Sequence, residues 1–181
     1  MFARTKRLTL RPPWPEDAAD LACAIAHEAV AHMLARVPYP YTVDDARAFT
    51  TLPRGGHDTR FLILAHDDAT PRLIGGIGIQ QHDGEHQLGY WLTPASWGRG
   101  YATEAAQAVV AMARDALPIA ALHAWHFADN PASGRVLRKL GFRPTGVTTE
   151  RPSLARETWA PSVAYALDLD AERCAAIPLA A

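Results

Sequence analysis

Two cysteines in 181 residues, Cys23 and Cys174, are too few for a disulfide framework and too isolated for a metal knuckle. An excess of charge of one sign is missing as well. Lys and Arg number 18 against 19 Asp and Glu, and the formal net charge of -1 argues against nucleic-acid or membrane binding driven by bulk electrostatics. No uncharged apolar run reaches the roughly 18 residues of a membrane span. The opening stretch carries Arg4, Lys6 and Arg7 with no apolar run behind them, so no secretory signal is expected and the cytoplasm is the expected compartment. Repeats, low-complexity linkers and an internal domain boundary are also lacking. The expectation is one domain over 1–170, followed by an alanine-rich tail over 171–181 that is loose helix or disordered.

What is present is globular: 49% hydrophobic and 20% charged residues. A chain of this length buries roughly 70% of the surface it exposes when unfolded. Residues 7–11 alternate as a first strand, closed by Pro12, Pro13 and Pro15. A helix is predicted over 16–33, with Leu21, Ile25 and Val30 among its apolar positions, and a short one over 43–49 capped by Thr42. Strands follow over 61–65, 73–79 and 87–92, joined by turns at Asp67, Asp68 and Pro71 and at Asp83 and Gly84. The long helix over 102–117 presents Ala102, Ala106, Val109, Ala113 and Ala116 as its apolar stripe, and Pro118 ends it. A strand over 121–127 leads to Asn130 and Pro131, an N-cap and a first-turn proline. That helix turns Val136, Leu137 and Leu140 inward and stops at Gly141 in a left-handed cap. Strands near 142–147 and 162–169 complete a mixed α/β pattern with helices on both faces of a sheet.

Chemistry concentrates between strand 87–92 and the helix after it. Gly98 and Gly100 flank Arg99 where the helix opens. The first backbone N–H groups of a helix have no intrahelical partner, and the helix dipole is positive there, so a turn stripped of Cβ atoms suits a phosphate or pyrophosphate. A dinucleotide-binding turn would need a third glycine where Thr103 stands and an acidic residue about 20 positions on. Pro118 to His123 occupy that neighbourhood instead, and no Gly-Lys-Ser/Thr triplet supplies a Walker A loop. The eight histidines do not form a metal set: His123 and His126 fall on opposite faces of a strand, and His27 and His32 diverge on a helix. No metal is expected.

In this order and spacing, Gly89-Tyr90-Trp91-Leu92, Trp97-Gly98-Arg99-Gly100-Tyr101-Ala102-Thr103-Glu104-Ala105, Asn130-Pro131-Ala132-Ser133 and Val136-Leu137-Arg138-Lys139-Leu140-Gly141-Phe142 resemble the GNAT N-acetyltransferase superfamily. The RimJ/RimL-like branch (ribosomal-protein alanine N-acetyltransferase-like) is the nearer resemblance, and Arg7-Leu8-Thr9-Leu10-Arg11 is similar to its opening strand. The basic or amide residue usual at the head of the turn is Trp97 here. The resemblance implies a mixed, mostly antiparallel sheet of about seven strands flanked by helices on both faces. Its strands 87–92 and 121–127 would run parallel and splay apart to hold the cofactor.

The same resemblance implies acetyl-CoA as acyl donor and a primary amine as acceptor. Pantetheine would bond the backbone of Tyr90, Trp91 and Leu92. The pyrophosphate would sit on backbone N–H groups of Gly98, Arg99, Gly100, Tyr101, Ala102 and Thr103, with Trp97 at the head of the turn. Asn130 is a helix cap, a cofactor contact or both. Lys139 and Arg138 are solvated or meet the ribose 3′-phosphate. Where many relatives carry a tyrosine late on this helix, Val136, Leu137 and Arg138 stand instead, so Ser133 is the implied group at the departing thiolate.

A strong base is lacking. Gln87 occupies the position where related sequences often place Glu, and an amide can orient an amine or a water but not take its proton. Glu85 or His86 remains for a base acting through water. An α-amine with a pKa of about 7.8 is roughly 10–15% neutral at pH 7, a lysine about 0.04%. A low-pKa acceptor, such as a protein or peptide N-terminus or a small amine, therefore needs least help. The expected route is direct attack in a ternary complex, with a backbone N–H of 89–92 on the oxyanion. Neither cysteine lies at a strand end beside a base, so an acyl-enzyme is not favoured. Acceptor choice is expected from the first two helices and their join over 36–41, together with a loop over 151–161 holding Arg151, Arg156, Glu157 and Trp159. The rival expectation is an acyl-CoA-binding sensor or interaction module on the same fold. Whether the chain is a monomer or a homodimer stays open.

Overall fold

The apolar segments read as strands assemble into one sheet in a computed structural model that describes residues 2–53, 59–67, 70–82 and 84–170. Its strands are β1 (Ala3–Arg4), β2 (Leu8–Arg11), β3 (Thr59–Ala65), β4 (Arg72–His82), β5 (Glu85–Leu92), β6 (Ala121–Phe127), β7 (Arg143–Ser153) and β8 (Thr158–Asp168). The spatial order is β1-β2-β3-β4-β5-β6-β8-β7. The β5–β6 pair is parallel and the other neighbouring pairs are antiparallel, as in the predicted mixed α/β architecture. β1 is an addition to the expected set: two residues that pair with Thr9 and Leu10 of β2.

Five helices cover the two faces among the described residues: α1 (Ala18–Ile25), α2 (Glu28–Ala31), α3 (Val43–Thr51), α4 (Tyr101–Ala116) and α5 (Pro131–Lys139). Alternation along β3 sorts its side chains. Phe61 and Ile63 join α4 and α5 in the larger core, whereas Leu62 meets Ala18, Leu21 and Ala22 of α1 and Ala46 of α3. At about 25 cal/mol per Å² of apolar surface, each fully buried leucine or isoleucine here contributes about 1.5–3 kcal/mol.

Local signals placed several helix ends. Thr42 Oγ1 accepts from the Asp45 N–H (3.2 Å) while the Asp45 carboxylate accepts from the Thr42 N–H (2.8 Å), a reciprocal cap on α3. Asn130 caps α5 through its side chain, and Gly141 follows that helix with φ 89°. The helix predicted over 16–33 is not continuous. A 3₁₀ turn at Pro15–Asp17 precedes α1, and Ala26 (ψ 49°) and extended His27 separate α1 from α2. The His27 carbonyl then accepts from the N–H groups of Val30 and Ala31, and burial of those two residues fixes α2 in its own direction.

On α4 the stripe is rotated from the predicted one. Ala106, Val109 and Ala113 are buried as expected, but Tyr101, Ala105 and Val110 flank them in place of Ala102 and Ala116. The last two strands are longer than predicted, so residues 151–161 are no loop. They are the closed end of the β7–β8 hairpin, in which Pro152 pairs with Trp159 and Ser153 with Thr158. No helix among the described residues is long and apolar enough to cross a membrane. The predicted tail over 171–181 with Cys174, and the turn residues Asp68 and Asp83, lie outside the described residues.

Candidate active site

β5 and β6 meet in a single register pair among the described residues, Gln87 with His123. Beyond it β6 pairs only with β8, so the parallel strands part as β5 runs on from Leu88 to Leu92. Alternate backbone groups along that edge of β5 have no ladder partner across the gap and face a slot that can hold an extended ligand. The gap is the splayed pair that the family resemblance implied.

At the far end of β5 the chain makes a 3₁₀ turn at Pro94–Ser96 and enters the glycine turn. Gly98 (φ 73°) and Gly100 (φ 81°) are both left-handed, which glycine alone adopts without strain. Gly100 is the N-cap of α4 and offers no side-chain cap, and the space where a Cβ of Gly98 would stand holds nothing within 4 Å. The turn therefore presents the uncapped N–H groups of a 16-residue helix toward an open cradle, which fits a phosphate. Trp97, 49% exposed, is held by its indole N–H donating to the Leu92 carbonyl (2.8 Å).

The turn is braced by residues the sequence reading passed over. The Arg7 guanidinium donates to the Arg99 carbonyl (3.0 Å), lies over the Tyr101 ring (4.5 Å to its centroid) and pairs with Glu104 in the first turn of α4 (2.7 Å). The Glu104 carboxylate also takes the Thr5 hydroxyl (2.6 Å) and the Arg7 backbone N–H (2.9 Å). Burial pulls the Glu104 carboxyl upward, but these bonds outweigh it and hold it below its ordinary value. Arg99 itself pairs with Asp67 (3.0 Å) and stacks on Tyr101.

The second helix terminus lies across the gap. Asn130 Oδ1 accepts from the Ser133 N–H (3.2 Å), so capping occupies that oxygen. The Ser133 Oγ is 2.8 Å from the Tyr90 Oη, which also lies 3.1 Å from the Ser133 carbonyl. Burial pushes the Tyr90 phenol up to about 12, against the bond to Ser133, with Tyr165 adding to the rise. Arg138 is exposed and also donates to the Tyr165 hydroxyl (3.2 Å). Lys139 is exposed at the far end of α5.

Alternation puts Gln87 and Glu85 on the opposite face of β5 from Tyr90, the face on which Trp91 meets the α1–α3 core. The Gln87 Oε1 accepts from the Trp125 indole N–H (3.4 Å), and Gln80 and His123 flank Gln87 in register. Glu85, half exposed, lies 3.7 Å from His123 Nδ1. Arg151 stacks on Trp125 (4.6 Å), and Arg36 donates to Gln80 (2.7 Å). Arg156 is committed elsewhere: it binds the His32 carbonyl (2.6 Å) and Asp129 (2.8 Å), closing the β7–β8 hairpin onto the segment after α2. Its bonds, stronger than the opposing effect of burial, keep the Asp129 carboxyl below its usual range. Trp159 is exposed on the hairpin, and Glu157 (φ 53°) forms its turn.

Of the residues the sequence marked, the glycine turn lies at the far end of β5, Asn130 and Ser133 at the start of α5, Gln87 in the one β5–β6 pair, and Glu85 two residues before it, on the closed side of the gap. Arg7, Glu104, Trp125 and the Tyr90 side chain were missed as site groups. Signals for two of them were in hand, since Arg7 opens the strand motif and Tyr90 stands inside the Gly89–Leu92 motif. Among the described residues no group of three His, Cys, Asp or Glu side chains is placed to hold a metal ion.

The fold and the sequence have counterparts among known proteins. The family model described as Acetyltransferase (GNAT) domain matches residues 7–143. The N-acetyltransferase YnaD of Bacillus subtilis is 27% identical over 162 residues, covering 88% of this chain and 92% of its own. The N-acetyltransferase YoaA of the same organism is 30% identical over 149 residues, covering 79% and 83%. Among solved structures, RimL, a ribosomal L7/L12 α-N-protein acetyltransferase in complex with coenzyme A, superposes with a TM-score of 0.80 at 19% identity over 94% of this chain and 99% of its own. A GNAT-family acetyltransferase from Bacillus anthracis gives 0.78 at 23% identity, over 94% and 99%. A match of that extent, on this fold, means that the chain belongs to the GNAT acetyltransferase family and is an N-acetyltransferase.

Proposed function

We propose that this N-acetyltransferase moves the acetyl group of acetyl-CoA to a low-pKa primary amine, a protein or peptide N-terminus or a small amine, by direct attack. The observation that carries the reading is the β5–β6 gap, which opens beyond Gln87 and His123 between two helix N-termini. The donor's pyrophosphate lies on the backbone of Gly98 to Thr103, below Trp97, and its pantetheine along Tyr90, Trp91 and Leu92. Asn130 shapes the α5 end of the slot, and Lys139, exposed at the far end of α5, is the cation offered to the ribose 3′-phosphate. The binding domain is the single unit over 1–170.

The acceptor enters from the Gln87 face and the thiolate leaves toward Ser133, which places nucleophile and leaving group on opposite sides of the carbonyl. A backbone N–H of β5 takes the developing oxyanion. The Gln87 Oε1, one lone pair taken by Trp125, orients the amine by accepting an N–H with the other, and Glu85 beside His123 receives the proton through water. RimL, which shares this fold, acts on a protein α-amine by its name; an α-amine acceptor also fits a site with no close carboxylate base. The test is acetyl transfer to N-terminal peptides, lysine peptides and small amines across pH 6–9. Transfer to α-amines should rise with pH and level off near their own pKa of about 7.8. Equal rates on lysine peptides at pH 7 would refute the acceptor class. Gln87 also supports a second reading, an acyl-CoA-binding sensor, which would bind CoA and transfer to no amine.

A further inference from the structure

We propose that the Tyr90 hydroxyl positions the Ser133 hydroxyl as hydrogen-bond donor to the departing thiolate. The inference rests on the acetyl-transfer reading above and assigns a side chain that reading leaves unused.

The geometry singles out this pair. Tyr90 sits three residues past Gln87, where β5 has already parted from β6, and its side chain crosses to the first turn of α5. Ser133 is at the third position of that helix, where a serine hydroxyl commonly folds back onto the backbone. Here the Ser133 N–H is already taken by Asn130, and the hydroxyl meets Tyr90 at 2.8 Å instead. The Ser133 carbonyl, 3.1 Å from Tyr90, sits within the α5 ladder, so the shorter contact to Oγ is the better acceptor for the phenol. In the proposed arrangement the phenol, the more acidic of the two hydroxyls, gives its proton to Oγ rather than to the carbonyl. With a lone pair of Oγ occupied by Tyr90, the single Ser133 proton is left to point away, into the slot.

The chemistry asks for no more than that. In the transfer the C–N bond forms, the C–S bond breaks with its electron pair going to sulfur, and the proton lost from nitrogen passes to water. A thiol has an ordinary pKa of about 8.5. The half-buried phenol, pushed up to about 12, keeps its proton beside such a thiolate, so a proton relay from Tyr90 through Ser133 is uphill. A fixed hydrogen bond stabilises the thiolate without proton transfer, and the positive end of α5 adds to it. Tyr90 is thus a positioning residue that acts through Ser133.

The experiment compares wild type, Y90F, S133A and the double variant in two ways. The first is the ultraviolet titration of the thiol of bound CoA, which needs no turnover. The second is steady-state transfer to an α-amine peptide, with melting temperatures verifying that each variant folds. Wild type should hold about tenfold more bound thiolate at a given pH than Y90F or S133A. Y90F should lose about tenfold in kcat at nearly unchanged KM for acetyl-CoA, and the double variant should be no slower than S133A. Wild-type kcat in Y90F, multiplying losses in the double variant, or identical thiol titrations would each overturn the proposal. Absence of transfer by wild type would sink the acetyl-transfer reading instead, and the thiol titration would still decide the role of Tyr90.

Discussion

Glu104→Ala removes the acceptor that ties the N-terminal strands to the glycine turn. Its carboxylate takes the Thr5 hydroxyl (2.6 Å), the Arg7 N–H (2.9 Å), Arg7 Nε (2.8 Å) and Arg7 Nη2 (2.7 Å). The paired side chains are 18% and 36% exposed, intermediate between a buried and a surface pair. Buried charged hydrogen bonds contribute about 1.5–3 kcal/mol and exposed ion pairs about 0–1 kcal/mol, so truncation should cost about 2–3 kcal/mol. In a chain of this size that lowers Tm by about 4–12 °C. Function should suffer as well, because Arg7, stripped of its anchor, no longer holds the Arg99 carbonyl; CoA affinity should fall about tenfold, or about 1.4 kcal/mol. Thermal melts and CoA titrations of wild type, Glu104→Ala and Glu104→Gln check this, with the glutamine variant intermediate because it keeps an acceptor oxygen without the charge. A melting temperature within about 1 °C of wild type, with unchanged CoA affinity, would show that the clamp supports neither fold nor turn.

Gly100→Ala should cost about 1–2 kcal/mol from the left-handed φ of 81° alone, because the nearest atom to its Cβ, Arg7 Nη2 at 3.5 Å, is an ordinary contact. Thermal melts read that loss, and an unchanged melting temperature with unchanged CoA binding would remove the strain argument. Acid stability follows from Asp17, Glu104 and Asp129. Burial raises the Asp17 carboxyl but its bonds from Arg11 and Trp14 prevail, and all three groups titrate below their ordinary range when folded. A folded pKa below the unfolded one stabilises above the unfolded value, about 4, and the contribution is lost as pH falls through the folded values. Melting temperature should therefore hold from neutral pH to about 5 and drop below about 4, and Arg156→Met should blunt the drop; a melting temperature rising on acidification would contradict the assignment.

What the sequence disclosed and what it concealed divide by range. Thr42, Asn130, Pro131 and Gly141 act on backbone within four residues, so their chemistry could be read directly. The glycine turn was legible for the same reason, since Gly98, Gly100 and the helix they open are contiguous. The break between α1 and α2 was hidden because neither Ala26 nor His27 is a helix breaker; packing of Val30 and Ala31 decides it. Residues 151–161 carry two prolines and read as a loop, yet Pro152 and Pro161 both fit the β7–β8 hairpin. The clamp from Arg7 to Glu104 spans 97 residues and the Tyr90–Ser133 bond spans 43, and no local pattern encodes such contacts. The shift of the α4 stripe has the same origin. Tyr101 is drawn fully inward beneath the guanidiniums of Arg7 and Arg99, the first from the distant turn between β1 and β2.

The central claim is acetyl transfer through the β5–β6 gap, and its most direct measurement is the free CoA thiol released from acetyl-CoA with and without an α-amine peptide. Matched counts of thiol released and peptide acetylated, with release dependent on the peptide, are the predicted result. CoA bound with no thiol released on any amine, or release indifferent to the amine, would contradict it.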